Sequence, residues 1–345
     1  MQRIIDCAKE LLSNGNVARV LGWKNGDLAY NPEPTYFNSV DNLNMFVYNG
    51  FCGANLSKYM IEASKLDGKT LVFLKPCDTY SFNQLIKEHR VNREKAYIVG
   101  VDCSGNYSVE KIKEAGIKGI ESIEIVGDSL KVQTIYGQKT MAIKDALMER
   151  CTVCKGKDHK IFDEVIAVDN ITSQASTTSH AYTASQADAA NQANNEKEAV
   201  ANRFDMVEKL EAMTPEERFI FWQGELSKCI RCNACRNACP ACSCKKCVFD
   251  SNNFDSAQKS NVGSFEEKMF HIIRAFHVTG RCTDCGECSR VCPQGIPLHL
   301  LNRKFIKDIN EFYGEFQAGE DAVRKGPLNS FTLDDVEPSI VGERR

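Results

Sequence analysis

The feature that most constrains this chain is a doubled cysteine run. CIRCNACRNACP spans residues 229–240 and CTDCGECSRVCP spans 282–293. Both read C-x2-C-x2-C-x3-C-P, and together they form the one convincing internal repeat. A 4Fe–4S cluster needs four thiolates at tetrahedrally disposed irons, and three cysteines at two-residue intervals wrap one such cluster. Where two such runs share a domain, the fourth cysteine of each ligates the other cluster. The repeat therefore predicts cluster A on Cys229, Cys232, Cys235 and Cys292, and cluster B on Cys282, Cys285, Cys288 and Cys239. Pro240 and Pro293 turn the chain away after the fourth ligand. Zinc is the competing reading, but zinc sites use two C-x2-C pairs or Cys/His mixtures. Crossed ligation makes the two clusters neighbours, as an electron conduit requires.

The rest of the composition bounds the setting. A chain of 345 residues with 43% hydrophobic content can bury two cores. Its 17 cysteines would suggest disulfides in a small secreted protein. The odd count, the size and a charged N-terminus (MQRIIDCAKELLSNG) without an apolar signal core point instead to reduced thiols used as metal ligands. No stretch reaches the roughly 18 apolar residues of a membrane span. A net charge of −3 gives no sign of nucleic acid or an anionic membrane as partner. A soluble, cytoplasmic protein is expected.

Residues 1–168 read as an α/β domain with a small, partly parallel sheet. Ile4, Ile5, Ala8, Leu11 and Leu12 have helical spacing and stop at Asn14-Gly15. Leu56, Tyr59, Met60 and Ala63 suggest a second helix ending at Asp67-Gly68. The runs 70–74 and 97–101 are strands with a helix around Phe82, Leu85 and Ile86 between them, which is a right-handed βαβ unit. Runs 120–126 and 130–135 look like a hairpin. Residues 169–205 are rich in Ser, Thr, Gln, Ala and Asn and cannot offset their ordering entropy by burial, so they read as a flexible polar linker. Residues 206–315 form an α-helical domain around the two clusters. Its first clear helix starts at Thr214-Pro215-Glu216-Glu217, a capping box, with Phe219, Trp222 and Leu226 as its apolar face. Helices near 265–278 and 299–313 flank the second cysteine run, and 316–345 is an extended tail across the body or a partner.

A third metal site is expected in the α/β domain. Cys77 follows the strand 70–74 and Cys103 follows the strand 97–101. If these strands are parallel, both thiols emerge at one carboxyl edge, where open α/β sheets place ligand sites. The Cys151–Cys154 pair could join them around a further 4Fe–4S cluster. Two buried free cysteines and a separate small pair are the bland alternative. Cys242, Cys244 and Cys247 are too tightly spaced to repeat the main motif. They could complete the third site, bind zinc or support cluster A. Cys7 and Cys52 read as ordinary helix and loop residues. The histidines form no closely spaced metal-binding pair, and for His271 and His277, in the helix before Cys282, packing or hydrogen bonding is the default.

The run TPEERFIFWQGELSKCIRCNACRNACPACSCKKC, followed by FHIIRAFHVTGRCTDCGECSRVCPQGIPLHLL, resembles the beta subunit of formate dehydrogenases that use the deazaflavin coenzyme F-420. In the N-terminal half, KPCD, VGVDC and RCTVCKGKDHKIFDEVI are similar to the wider beta-subunit family of deazaflavin-dependent hydrogenases and dehydrogenases. The resemblance implies an FAD in the α/β domain, exchanging single electrons with the clusters and hydride with a deazaflavin or nicotinamide. It implies a subunit of a larger complex. The partner would be a molybdopterin or NiFe catalytic subunit, a ferredoxin or a heterodisulfide-reductase-like flavoprotein. The chain has no G-x-G-x-x-G fingerprint and no P-loop. Gly50 and Gly53, in NGFCGANLSKY, and Lys75, at the sheet edge, are weak candidates for a flavin phosphate. An ordinary loop and a solvated lysine are the competing readings. Two rival functions stand beside this one: a flavin-free electron wire between partner subunits, and a zinc-stabilised scaffold whose thiols only hold shape.

Overall fold

The computed structural model describes residues 1–28, 30–167, 202–250 and 264–330. Most of the expected linker, His180 within it, and residues 331–345 of the tail lie outside the described residues.

The chain opens with α1 (Gln2–Ser13), which buries Ile4, Ala8 and Leu11, one stripe of a 3.6-residue period. The stretch from Ser13 to Asn49, given no element above, supplies three strands: β1 (Arg19–Lys24), β2 (Glu33–Phe37) and β3 (Phe46–Val47). The expected second helix breaks into a 3-10 turn at Leu56–Lys58 and a single α turn, α2 (Met60–Ala63). Then come β4 (Thr70–Leu74), α3 (Pro76–Lys87) and β5 (Ala96–Val101), at the expected positions. After α4 (Val109–Glu114), strands β6 (Ile120–Val126), β7 (Ser129–Thr134) and β8 (Gly137–Ala142) form an antiparallel meander, one strand longer than the expected hairpin. Two single-turn helices, α5 (Ile143–Ala146) and α6 (Glu149–Thr152), lead to β9 (Glu164–Ile166).

The main sheet is ordered β2-β1-β4-β5-β9, with β3 also paired to β1. β1, β4, β5 and β9 are mutually parallel, while β2 and β3 run antiparallel to β1. Every residue of β4 is buried, as a central parallel strand covered on both faces requires. Register pairs Leu71 with Tyr97 and Leu74 with Gly100, so Lys75-Pro76-Cys77 and Asp102-Cys103 leave the sheet at the same carboxyl edge.

The second half is helical around the cysteine runs: α7 (Asp205–Glu211), α8 (Pro215–Leu226), α9 (Ala234–Ala238), α10 (Ser264–Val278), α11 (Glu287–Arg290) and α12 (Leu298–Tyr313). The capping box of α8 is complete: Glu217 N–H donates to Thr214 Oγ1 at 3.2 Å and Thr214 N–H to Glu217 Oε2 at 2.9 Å. Its apolar face differs from expectation. Leu226 is buried and Trp222 packs beside it, but Phe219 is 57% exposed, since α8 meets the core only through its C-terminal half. The tail up to Ser330 rests on α3, where Asn83 Nδ2 donates to the Gly319 carbonyl at 3.1 Å.

Candidate metal centre

The two cysteine runs adopt the same backbone. Arg231 and Asn233, which flank Cys232, have φ of +55° and +60°. Asp284 and Gly286, which flank Cys285, have φ of +54° and +68°. Left-handed conformation costs a side-chain-bearing residue of order 1 kcal/mol, yet the same two positions adopt it in each run. The reversal wraps the first loop around a cavity, and in each run a single helical turn then carries the third cysteine (α9 for Cys235, α11 for Cys288).

One cavity is lined by Cys229, Cys232, Cys235 and Cys292, so the last thiol of the second run meets the first three of the first. The reciprocal grouping also forms. Cys239 lies within charge-interaction range of Cys282, Cys285 and Cys288, with Cys239 and Cys288 buried and Cys282 and Cys285 partly so. Burial pushes the Cys235 and Cys285 thiols up to about 12. Such thiols keep their protons near neutrality unless a cation takes the proton's place, which is what iron does. The donor set and its burial therefore fit four-iron clusters. Among the described residues no three of His, Cys, Asp and Glu are gathered for a single metal ion.

Two buried side chains serve these thiols. His271 Nε2 lies 3.2 Å from Cys229 Sγ. Burial, with Arg274 and Arg231 adding, pushes the imidazole down to about 3, so the ring is neutral and its single proton is available to the sulfur. Arg274, 2% exposed, is in charge range of Cys235 on one side and of Cys288 and Cys239 on the other.

The third group also assembles. Cys77, Cys103, Cys151 and Cys154 line one cavity at the carboxyl edge of the sheet, and Cys285 lines the same cavity. Backbone N–H groups of Gly105 and Asn106 point at Cys103 Sγ (3.4 Å) and Cys151 Sγ (3.3 Å). Cys242, Cys244 and Cys247 do not join this group and line a separate cavity. Cys52 is fully buried and Cys7 half-buried, and neither lines the Cys77 cavity.

The cluster domain meets the sheet edge through buried charge. Arg150, beside Cys151, donates to the Cys285 carbonyl (2.5 Å), to Glu287 Oε1 (2.9 Å) and to the Gly53 carbonyl (3.1 Å). Glu287 also takes Arg290 and the Asn55 N–H. Burial opposes the charge of Glu287, but the Arg290 and Arg150 guanidiniums outweigh it and hold the carboxyl at about 2.

The weak flavin candidates are used otherwise. Lys75 is not solvated: it is 1% exposed, and its ammonium holds Asp78 Oδ2 (2.8 Å), the Cys52 carbonyl (3.1 Å) and the Ala54 carbonyl (2.9 Å). Those are all three donors of an ammonium, so none is left for a phosphate. A Cβ at Gly50 would sit 2.1 Å from the Tyr107 ring, and one at Gly53 would sit 2.8 Å from Arg290 Cδ. Both glycines make room for side chains of this chain. These three residues do not fit a flavin cradle.

The comparisons with known proteins agree with the thiol pattern. Residues 225–296 match the 4Fe–4S dicluster domain family. The F420-dependent formate dehydrogenase subunit beta of Methanocaldococcus jannaschii is 23% identical, with 87% of each chain covered. F420-dependent formate dehydrogenase 1 subunit beta of Methanococcus maripaludis is 25% identical, with 78% of each covered. The chain resembles these beta subunits over most of its length. The formate dehydrogenase beta subunits thus match both the sheet domain and the cluster domain. The F420-reducing [NiFe] hydrogenase complex of Methanosarcina barkeri contains a chain that superposes on 44% of this one, covering 62% of its own length, at a TM-score of 0.33 and 17% identity. Nothing is drawn from a superposition that weak.

His271, Arg274, Arg150 and Glu287 were not singled out from the sequence as site residues. The Glu between Cys285 and Cys288 was the legible signal, because a carboxylate between cluster ligands needs a buried cation near it.

Proposed function

We propose that this chain is an iron–sulfur electron-transfer subunit of an oxidoreductase complex. Clusters A and B occupy the doubled cysteine runs, with the crossed ligands named above, and a third 4Fe–4S cluster occupies the Cys77, Cys103, Cys151 and Cys154 cavity. The shared cavity of Cys229, Cys232, Cys235 and Cys292 carries the reading. Cys285 belongs to cluster B and also lines the third cavity, so the three groups form a continuous series from the helical domain into the α/β domain. A series of adjacent clusters conducts; isolated structural zinc would not need adjacency.

The beta-subunit resemblance supports formate dehydrogenase or hydrogenase as the complex. The primary chemistry would lie on a molybdopterin or NiFe partner, and a deazaflavin, nicotinamide, ferredoxin or heterodisulfide-reductase-like flavoprotein would lie at the other end of the chain of carriers. FAD is our reading from that resemblance alone, and no residue of this chain is assigned to it. Residues 1–168 would be the coupling domain and 206–315 the cluster domain, working in the cytoplasm. No helix among the described residues is long and apolar enough to cross a membrane.

The test is ligand-specific. Anaerobically purified protein is expected to be brown, with about 12 irons per chain for three four-iron clusters. Cys292→Ser and Cys232→Ser should abolish the same paramagnetic signal, and Cys239→Ser and Cys285→Ser the other. If Cys292→Ser instead behaves like Cys285→Ser, the crossed ligation is wrong. A colourless protein rich in zinc would establish the scaffold reading. Released yellow cofactor from the same preparation tests for FAD.

A further inference from the structure

Helix α10 crosses the two cysteine runs with one face. His271 faces Cys229, a cluster A thiol. Val278 shares an apolar group with Cys239 and Cys282, both cluster B thiols. Arg274 lies between them on the same face, three residues after the one and four before the other. It is 2% exposed, and its guanidinium hydrogen-bonds the Cys288 and Cys242 thiols. Burial opposes its charge, but Cys288, Cys239, Cys235 and Cys242, in that order, favour the charge and outweigh the burial. Cys235 belongs to the cluster A set, and Cys288 and Cys239 to the cluster B set. Other buried arginines are matched differently. Arg303 pairs with Asp284 and Arg150 with Glu287, so a carboxylate balances each. For Arg274 that role falls to thiols from both runs.

We infer that Arg274 is a positioning residue shared by clusters A and B, whose single buried charge holds up the midpoint potentials of both. The inference rests on the electron-transfer reading and its crossed ligands. A buried cation needs an anionic partner, and Arg274 finds it in cysteines drawn from both runs. An electron added to either cluster brings negative charge toward the same guanidinium. At an effective dielectric of about 20, a unit charge within several ångströms changes such an equilibrium by at least about tenfold. Charge acts over that range on both clusters. His271, neutral and in contact with one sulfur, acts on one. Because both potentials rise together, the step between the clusters keeps its size while the pair becomes easier to reduce.

The experiment is an anaerobic redox titration of the full-length wild type, Arg274→Gln and Arg274→Lys, followed by paramagnetic resonance, with iron counted per chain. The two signals are assigned through Cys232→Ser and Cys285→Ser. Arg274→Gln keeps polar donors and loses the charge. It is expected to retain its iron and to lower both potentials, each by about tenfold in the reduction equilibrium, or about 59 mV. Arg274→Lys keeps the charge as a compact ammonium and is expected to hold both within about threefold of the wild type. With iron retained, a fall confined to one cluster or unchanged potentials in Arg274→Gln overturns the inference and leaves the electron-transfer reading standing. So does a fall in Arg274→Lys as large as in Arg274→Gln. If Arg274→Gln does not assemble its clusters, Arg274→Lys decides alone, and a shift beyond about threefold in either cluster overturns the inference. A colourless, zinc-loaded wild type overturns the electron-transfer reading and this inference with it.

Discussion

Replacing His271 by Leu should lower the midpoint potential of cluster A and leave cluster B unchanged. The ring is buried and neutral, and its Nε2 faces Cys229 Sγ at 3.2 Å. A hydrogen bond to a charged group is worth about 1.5–3 kcal/mol. Reduction adds one electron shared over the cluster and its four thiolates, so roughly a quarter of that bond strengthens on reduction through Cys229. The resulting 0.4–0.7 kcal/mol or so corresponds to roughly 20–30 mV for a one-electron couple. Loss of the donor leaves the sulfur more electron-rich and the cluster harder to reduce. The assay is an anaerobic redox titration followed by paramagnetic resonance, with each cluster identified beforehand through Cys232→Ser and Cys285→Ser. His271→Gln, which keeps an N–H at similar reach, should recover part of the loss. An unchanged or raised potential for cluster A, or the same drop in both variants, would refute the assignment of His271 as a donor to this thiolate.

Lys75→Met should destabilise the α/β domain by about 3–5 kcal/mol, because it leaves Asp78 as an uncompensated buried charge; denaturant unfolding of the variant measures this, and an unchanged midpoint would contradict it. Thr214→Ala removes one half of the α8 capping box and should cost about 1 kcal/mol, read as a small fall in the same midpoint with the iron content intact. Glu287 carries the pH dependence. Its folded carboxyl sits at about 2 against a usual value of 4.5, so its stabilising contribution is present above 4.5 and is lost as pH falls toward 2. Fully buried, it contributes roughly 3 kcal/mol. Acid unfolding between these values should be steeper for the wild type than for Glu287→Gln, and equal steepness would show that the network does not depend on its charge.

What was legible in the sequence was what local rules govern. Cys292 could be placed with the first run because ligand exchange is a property of the doubled motif. Cys77 and Cys103 could be placed together because parallel strands of a βαβ unit share a carboxyl edge. The Thr214 cap is written within four residues. Lys75 was misjudged because exposure is a tertiary quantity: the acceptors that bury it are the Cys52 and Ala54 carbonyls, 23 and 21 residues earlier in the chain. The strands β1 to β3 went unread because their apolar residues lie in short, turn-broken runs whose pairing is non-local. Arg274 and His271 looked like ordinary positions of an amphipathic helix, and only the placement of the thiols around them reveals otherwise.

The seam between the two halves explains why the third group can be in register with cluster B at all. A hydrophobic seam between a sheet edge and a helical domain would tolerate sliding, since apolar contact is non-directional. Here the seam is directional. Glu287, from between two cluster B cysteines, is held by Arg150, from the segment of Cys151, and by the Asn55 N–H. Ser81 and Thr283 exchange a hydrogen bond at 2.8 Å, and Arg281 with Ser243 clasps Glu88 at the end of α3. Buried ion pairs of this kind add little net stability over apolar contacts but are strongly penalised when broken. A displacement of the cluster domain would break several at once. The charge network therefore fixes the position of Cys285 on the wall of the Cys77 cavity, and electron transfer between the halves needs that fixed proximity more than it needs extra stability.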